Sequence, residues 1–135
     1  MIEGKIWLAI KSPLAAFTEC KVVFSEDKAY QPTADIPFIY VQPVWQEYPD
    51  EVLSFNCGNE YRGFLNLAVR VPVTWDYAAH MGLANRAMAS YQYGAKYEYD
   101  TVTVQIHERP HLFGASFLDT SHNRIDARIP FRCWG

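Results

Sequence analysis

Apolar and polar residues alternate along several segments of the chain, and this alternation predicts β-strands. The clearest case is residues 61–73, in which Arg62 and Arg70 fall on the polar side. Residues 124–134 alternate in the same way, with Arg128 on the polar side. The predicted buried face of the first strand comprises Tyr61, Gly63, Leu65, Leu67, Val69, Val71 and Val73.

Three further segments predict strands. Residues 21–24 are a short β-branched run, and residues 37–45 form a longer strand in which Pro43 indicates an edge or a bulge. Residues 99–107 return to a period of two. The residues expected on one side of that strand are Val102, Val104 and Ile106.

Two segments carry apolar residues at helical spacing. Residues 2–17 predict a helix with a break or restart at Pro13, which lacks a backbone N–H. A second helix follows Thr74 or Asp76, either of which is a suitable N-cap, and Gly94 is a plausible stop. Its predicted apolar stripe comprises Tyr77, Met81, Ala84, Met88 and Tyr91.

The order of these elements predicts an α+β fold. The predicted order is helix, short strand, two strands, helix and two strands. This order suits a single mixed or antiparallel β-sheet of about four to five strands with two α-helices packed on one face. The 135 residues are expected to form one domain spanning residues 1–135.

Residues 46–60 join two predicted strands over a distance that exceeds an ordinary hairpin loop. Connections of this length inside compact domains are usually functional or disordered, and this one is too apolar for disorder. We therefore interpret it as a candidate interface. Its candidate contact residues are Tyr48, Val52, Leu53 and Phe55.

Four arginines on the polar sides of the two long strands can share one face of the sheet. These residues are Arg62, Arg70, Arg128 and Arg132. One interpretation is a solvated face. The other is a binding surface that pairs with acidic groups of a neighbouring subunit, because Arg is favoured in interface ion pairs. The sequence leaves both interpretations open.

Residues 107–111 spell His-Glu-x-x-His, a pattern typical of zinc metalloproteases. Zinc binding by this pattern requires a helix, because only one helical face brings both imidazoles to the metal. The β-branched run before His107 favours a strand, and Pro110 disfavours helical backbone at the preceding residue. We expect a strand-end turn with two polar histidines, His107 and His111, and neither a metal nor a cofactor site.

The three cysteines do not predict a disulfide framework. Cys20, Cys57 and Cys133 are widely spaced and odd in number, which is typical of reduced thiols in a cytosolic product. Cys133 falls on the apolar side of its strand and is expected to be buried. A Cys57–His80 pair is conceivable but has no orienting partner, and His80 more simply flanks a helix surface. A small thiol- or metal-dependent hydrolase is therefore the less favoured alternative.

Composition narrows the class of function. The net charge of −3, without a polybasic run, does not favour nucleic acid as a partner. The N-terminal apolar run is short and carries Glu3 where a signal peptide needs positive charge, and no run is long enough for a membrane span. We expect a soluble protein made in the cytoplasm. The eight Phe, nine Tyr and four Trp exceed what a small core needs, which favours protein contacts.

Four stretches carry a resemblance to a known family through their order. They are PFIYVQPVW, then GFLNLAVRVPVTWDYAAHMGLANRAMASY with its strand–Pro–helix unit, then DTVTVQIHERPHLFG, and finally ARIPFRCW. Together they resemble the phage tail terminator, or tail-completion, proteins of the lambda type and their prophage relatives.

This resemblance implies a structural virion protein rather than an enzyme. Such proteins form a homohexameric ring that caps the head-proximal end of the tail tube, ends its polymerisation and meets the head–tail connector. DNA passes through such a ring without sequence-specific contact, and no cofactor or membrane is involved. Residues 46–60 would reach the adjacent subunit or the tube. A neighbouring neck or connector protein, a tail tube subunit and a generic protein-binding module are the alternatives.

Overall fold

The computed structural model describes residues 2–25, 30–33, 35–45, 60–119 and 121–134. No helix in these ranges has the length and apolar character that crossing a bilayer requires. The elements in chain order are α1 (Ile2–Ala15), β1 (Lys21–Phe24), β2 (Phe38–Trp45), β3 (Glu60–Pro72), α2 (Tyr77–Met88), β4 (Lys96–Tyr99), β5 (Val102–Gln105), β6 (His111–Asp119) and β7 (His122–Trp134).

The seven strands of the described residues belong to one mixed sheet, so the predicted α+β class is confirmed. The strand order is β1-β2-β3-β7-β5-β4, and β6 also pairs with β7. β1 and β2 are parallel and the other pairs are antiparallel. β3 and β7 pair along their whole length, from Glu60 opposite Trp134 to Pro72 opposite His122. These two long strands form the centre of the fold.

The second edge of β7 is shared between two strands. β6 pairs with its first half as far as Arg128, whereas β5 pairs with its end from Arg132 to Trp134. The chain therefore passes from β5 to β6 beside the stretch of β7 that lies between them. This arrangement decides where the His-Glu-x-x-His segment lies.

The predicted strand count was too low, because β4 and β6 were not predicted as strands. β6 was missed since its pairing with β7 is irregular between Phe113 and Phe117. β4 was missed since the expected strand at 99–107 is in fact the second half of a hairpin. Asp100 forms the turn of that hairpin with a φ of 56°. Pro43 lies beyond the residues of β2 that pair with β1, which agrees with the predicted edge position.

One hydrophobic core lies between the helices and the inner face of the sheet. The buried side chains of both helices join the alternate residues of β3, β5 and β7 in this core. The predicted inner positions Val102, Val104 and Ile106 are confirmed as buried. Val73 was predicted to point inward but is 55 % exposed, because β3 ends one residue earlier at Pro72. The strand residues in the core are Leu65, Leu67, Val69, Val71, Val102, Val104, Ile125, Ala127, Ile129, Phe131 and Cys133, with Ile39 and Val41 from β2.

α1 is continuous through Pro13, so the predicted break was wrong. A proline at this position cannot donate to the carbonyl of Ala9, which a helical N–H would normally reach. The Ser12 hydroxyl donates to that carbonyl oxygen instead, at 3.2 Å. Since Pro13 lies in the last turn, the helix tolerates it and ends at Ala15.

α2 begins at the predicted cap. Asp76 is the N-cap, and its carboxylate accepts a hydrogen bond from the backbone N–H of Ala79 at 2.7 Å. The helix ends at Met88, earlier than Gly94 suggested. Gly94 instead adopts a φ of 84° in the turn that precedes β4.

Within α2, only Ala84 of the predicted stripe is fully buried, and Met81 and Met88 are half-buried. Leu83 and Ala87 are buried although they were not predicted to be. Tyr77 is 55 % exposed, whereas His80 was expected at the surface and is 1 % exposed. Tyr91, just after the helix, is buried as predicted, and its hydroxyl donates to the carbonyl of Ile10 at 2.6 Å. The helix is thus rotated relative to the predicted face. Its buried residues are His80, Leu83, Ala84 and Ala87.

Candidate interface on the outer face of the sheet

The four predicted arginines lie on the face of the sheet that points away from the helices. The register pairs Arg62 with Arg132 directly across β3 and β7, and it places Arg128 opposite Asn66. These positions alternate with the buried core residues, so their side chains share the outer face. Arg70 pairs with Arg124, a fifth arginine of this face that the sequence reasoning missed.

Two Arg–Arg pairs directly opposite each other are unfavourable, because like charges across a strand pair repel. At one end of the face Asp126 relieves this repulsion. The Arg124 guanidinium donates to both carboxylate oxygens of Asp126, at 2.7 and 3.2 Å. At the other end Arg132 donates twice to the neutral side chain of Gln105, at 3.1 and 3.0 Å. The two ends of the face therefore differ in how their arginines are held.

Aromatic rings separate the arginines of the outer face. The Arg128 guanidinium lies 3.6 Å from the centre of the Phe113 ring and 4.6 Å from that of Phe64. Arg124 lies 5.7 Å from the Phe117 ring in the same way. These are cation–π distances, and they fix the guanidinium planes.

The Nε atom of Arg128 is buried and has no hydrogen-bond partner among the described residues. Leaving a buried donor without an acceptor costs about 1–3 kcal/mol, and more for a charged group. The packing between two rings thus holds a charged group in place without satisfying all of its donors. The Nε–H donor of Arg128 is therefore held in position without a hydrogen-bond acceptor among the described residues.

The His-Glu-x-x-His segment is not helical, as predicted. β5 ends at Gln105 and β6 begins at His111, so the segment is a connection between two strands. Its first imidazole lies 3.6 Å from the neighbouring carboxylate, between His107 Nε2 and Glu108 Oε1. Within the described ranges, no group of three or more His, Cys, Asp and Glu side chains is placed to hold a metal ion.

The connection and the arginine face enclose one cleft of about 200 Å³, which we call the basic cleft. This volume lies below the roughly 300–1,000 Å³ that is usual for small-molecule sites, and it suits a side chain or a small anion. Two features that are far apart in the sequence thus form one site. The residues that define the basic cleft are Arg62, Phe64, His107, Glu108, His111 and Arg128.

A second depression lies at the opposite end of the outer face. Its volume is about 350 Å³, and its lining includes Arg70, Tyr40 and Tyr30. The Arg70 guanidinium lies 5.4 Å from the centre of the Phe38 ring at its floor. This depression is more aromatic and less charged than the basic cleft.

Edge strand β6 adds exposed apolar side chains beside the arginines. Phe113 and Phe117 are 48 % and 49 % exposed, and both face outward because they pair with Asp126 and Arg124 of β7. Large exposed rings on an edge strand are typical of a surface that meets another protein. No predicted strand covered this region, so the sequence reasoning missed these residues.

The candidate loop residues Tyr48, Val52, Leu53 and Phe55 lie outside the described residues. The strands on either side of their segment are described. β2 ends at Trp45, which pairs with Gly63 at the border of the basic cleft. β3 begins at Glu60, two residues before Arg62 of the basic cleft.

The cysteines differ in exposure. Cys133 is buried in the core, as predicted from its place on the apolar side of β7. Burial, together with the negative charge of Glu19, raises the pKa of the Cys20 thiol to about 11. A thiol with so high a pKa is a poor nucleophile at neutral pH. Cys57 lies outside the described residues.

His80 lies on the core side of α2, which corrects the surface position expected for it. Its Nε2 donates to the backbone carbonyl of Val69 in β3 at 2.7 Å. Burial lowers the pKa of His80 below its usual value, and the bond to the carbonyl opposes this only in part. The imidazole therefore acts as a neutral link between helix and sheet.

Comparison with known proteins concerns the fold. No family model and no curated protein matches the chain. A solved protein structure that carries no functional description is similar over 98 % of this chain and 92 % of its own, with a TM-score of 0.60 and 15 % sequence identity. At this identity the likeness shows that the two chains share a fold, and it carries no function from one to the other.

Proposed function

We propose that this chain is a structural protein of a phage tail. In this proposal, copies of it form a ring that caps the head-proximal end of the tail tube, ends its polymerisation and joins it to the head connector. The resemblance of its ordered segments to the tail terminators motivates the proposal. The observation that carries it is the outer face of the sheet, where arginines alternate with the exposed rings of Phe113 and Phe117.

Arginine and aromatic side chains are the residues most enriched in the centres of protein interfaces. On this face they form one continuous surface across β3, β7 and β6. The cation–π contacts hold the long side chains of Arg124 and Arg128 in fixed positions, so that less entropy is lost on binding. These features support a preformed protein contact rather than a solvated face.

A ring built from head-to-tail contacts requires two different surfaces on each copy. One surface of each copy binds the other surface of the adjacent copy. The outer face carries five arginines of β3 and β7, whereas the whole chain has a net charge of −3. The rest of the chain is therefore strongly acidic. This division of charge supports a head-to-tail contact between copies, in which the arginine face of one meets acidic groups of the next.

A neighbouring neck protein or a tail tube subunit would use the same kind of surface. Electron microscopy of tails assembled with and without the protein separates these roles. A terminator predicts overlong tubes of variable length in its absence, because nothing then stops polymerisation. Tails of normal length that fail to join heads indicate a neck protein, and a complete absence of tubes indicates a tube subunit.

Deletion of residues 50–58 tests the part assigned to the long connection. We expect a folded monomer that forms no rings and does not cap tubes, because the deletion leaves the described sheet and helices intact. Replacement of the same residues by a Gly/Ser segment of equal length is the matched control, since it keeps the chain connected at its natural length. Sedimentation and circular dichroism provide the readouts. A deletion variant that still forms hexamers and caps tubes contradicts this assignment.

A further inference from the structure

We propose that the basic cleft receives carboxylate side chains of a second copy of this chain. The inference deepens the proposed function, on which it rests for the formation of a ring. It assigns one half of the ring interface to a defined site on the outer face. It also gives a role to the His-Glu-x-x-His segment, which helps to wall this cleft.

The chemistry of the cleft selects an oxyanion. Arg62 and Arg128 bring two guanidinium groups to its wall, and Glu108 is the carboxylate beside them. Glu108 lies next to His107, and its side chain is 64 % exposed to solvent. The planar fork of a guanidinium matches a carboxylate with two parallel hydrogen bonds.

Arg128 is the anchor of this site. The rings of Phe64 and Phe113 hold its guanidinium from two sides, at 4.6 and 3.6 Å from their centres. Its buried Nε lacks an acceptor among the described residues. A charge that is fixed in position and not fully hydrogen-bonded gains most from an arriving carboxylate.

The occupant follows from size and charge. The cleft of about 200 Å³ admits a side chain more readily than an extended ligand. Residues 46–59 contain Glu47, Asp50 and Glu51, no Lys or Arg, and several apolar residues that would suit the neighbouring rings. The segment departs from the sheet at Trp45, beside the cleft of its own copy. Each half of these residues, when extended, spans roughly 23 Å, which is enough to reach an adjacent copy.

Charge reversal on both sides of the contact provides the test. One chain carries Arg62→Glu and Arg128→Glu, and the other carries Glu47→Lys, Asp50→Lys and Glu51→Lys. Each chain alone should lose the ring and sediment as a monomer, because like charges then meet at every contact. An equimolar mixture should regain the ring with the two chains alternating, since every contact then joins opposite charges. Native mass spectrometry should find equal numbers of the two chains.

Arg86→Glu is the matched control, because it makes the same change at an exposed arginine of α2, outside the outer face, where the side chain pairs with Glu19. We expect this variant to keep the ring. If Arg128→Glu does not fold, Arg128→Met with Arg62→Glu replaces it, since Met preserves a flexible apolar stem between the two rings. Circular dichroism of each chain shows whether it is folded before assembly is measured.

Each outcome decides between the proposals. Sedimentation is measured with and without purified tail tubes, and a wild-type chain that stays monomeric in both conditions overturns the inference. A ring that survives Arg62→Glu with Arg128→Glu also overturns the inference. A mixture of folded chains that does not assemble overturns it as well. Binding of a labelled single-stranded oligonucleotide that depends on Arg128 assigns the cleft to phosphate and overturns it as well. Rings restored by charge reversal together with tails of unchanged length leave the cleft assigned but contradict the terminator role.

Discussion

The two faces of the β3–β7 pair share a backbone and a register but differ in every other respect. The inner face carries Leu65, Leu67 and Ile129, which are fully buried under the helices. The outer face carries arginines directly opposite each other, such as Arg62 and Arg132. The inner face therefore buries apolar side chains, whereas the outer face places like charges next to each other. This difference shows that one strand pair keeps its apolar side chains on one face and its charged side chains on the other.

Truncation of a central inner residue should have the largest effect. Leu67→Ala removes a side chain with no exposed surface from the middle of β3, and we expect the free energy of unfolding to fall by about 2–5 kcal/mol. Asn66→Ala, the adjacent residue on the outer face, should change it by about 0.5 kcal/mol or less. Urea titrations followed by circular dichroism measure both. Equal losses for the two variants would contradict the division between the faces.

Addition of one methyl group tests how tightly the inner face is packed. A Cβ on Gly63 would clash with the backbone carbonyl of Val44 and would lie 3.1 Å from the end of the Phe131 ring. Because backbone cannot move aside cheaply, Gly63→Ala should destabilise the fold by about 1–3 kcal/mol.

The control for this variant is Gly4→Ala in α1, where a Cβ would have no heavy atom within 4 Å. There Ala should stabilise the helix by about 0.5–1 kcal/mol. Thermal unfolding of the two variants should therefore shift in opposite directions. A Gly63→Ala variant as stable as wild type would show that β2 and β3 are not in backbone contact at this position.

The inner face could be read from the sequence because its alternation is local. From Leu65 to Val71, and again from Ile125 to Cys133, every second residue is apolar and buried. The sequence position alone therefore assigns each side chain to one face of the strand. The sharing of one face by the arginines also followed from alternation, since it needed only the pairing of two long strands. Arg124 was overlooked although the same pattern includes it.

The basic cleft could not be read from the sequence. It exists because β5 and β6 both pair with β7, which brings His107 and His111 beside Arg62 and Arg128. No local pattern encodes this pairing, and the irregularity after Phe113 hides β6 itself. The rotation of α2 was missed for a related reason: the tertiary packing buries His80, Leu83 and Ala87, and the local spacing of the apolar residues does not single them out.

The smallest of the three effects on stability concerns the titratable group of the inner face. Because burial lowers the pKa of His80 in the folded chain, the unfolded chain binds a proton first as the pH falls. The neutral imidazole therefore makes its full contribution to the free energy of unfolding above the unfolded-state pKa of about 6.5. This contribution is lost as the pH falls from there towards the lowered pKa of the folded chain. The free energy of unfolding should decline by at most about 1.4 kcal/mol per pH unit in that window.

His80→Gln tests this prediction, because Gln keeps a donor for the carbonyl of Val69 but does not titrate. Urea titrations at pH values on both sides of 6.5 should show a smaller pH dependence for His80→Gln than for wild type. Asn85→Gln, on the exposed side of α2, should keep the wild-type dependence. The carboxylates titrate alike in all three chains, so the difference isolates His80. Identical pH dependences for wild type and His80→Gln would mean that the imidazole takes up its proton equally well in the folded chain, and that the inner face is open to water where α2 crosses β3.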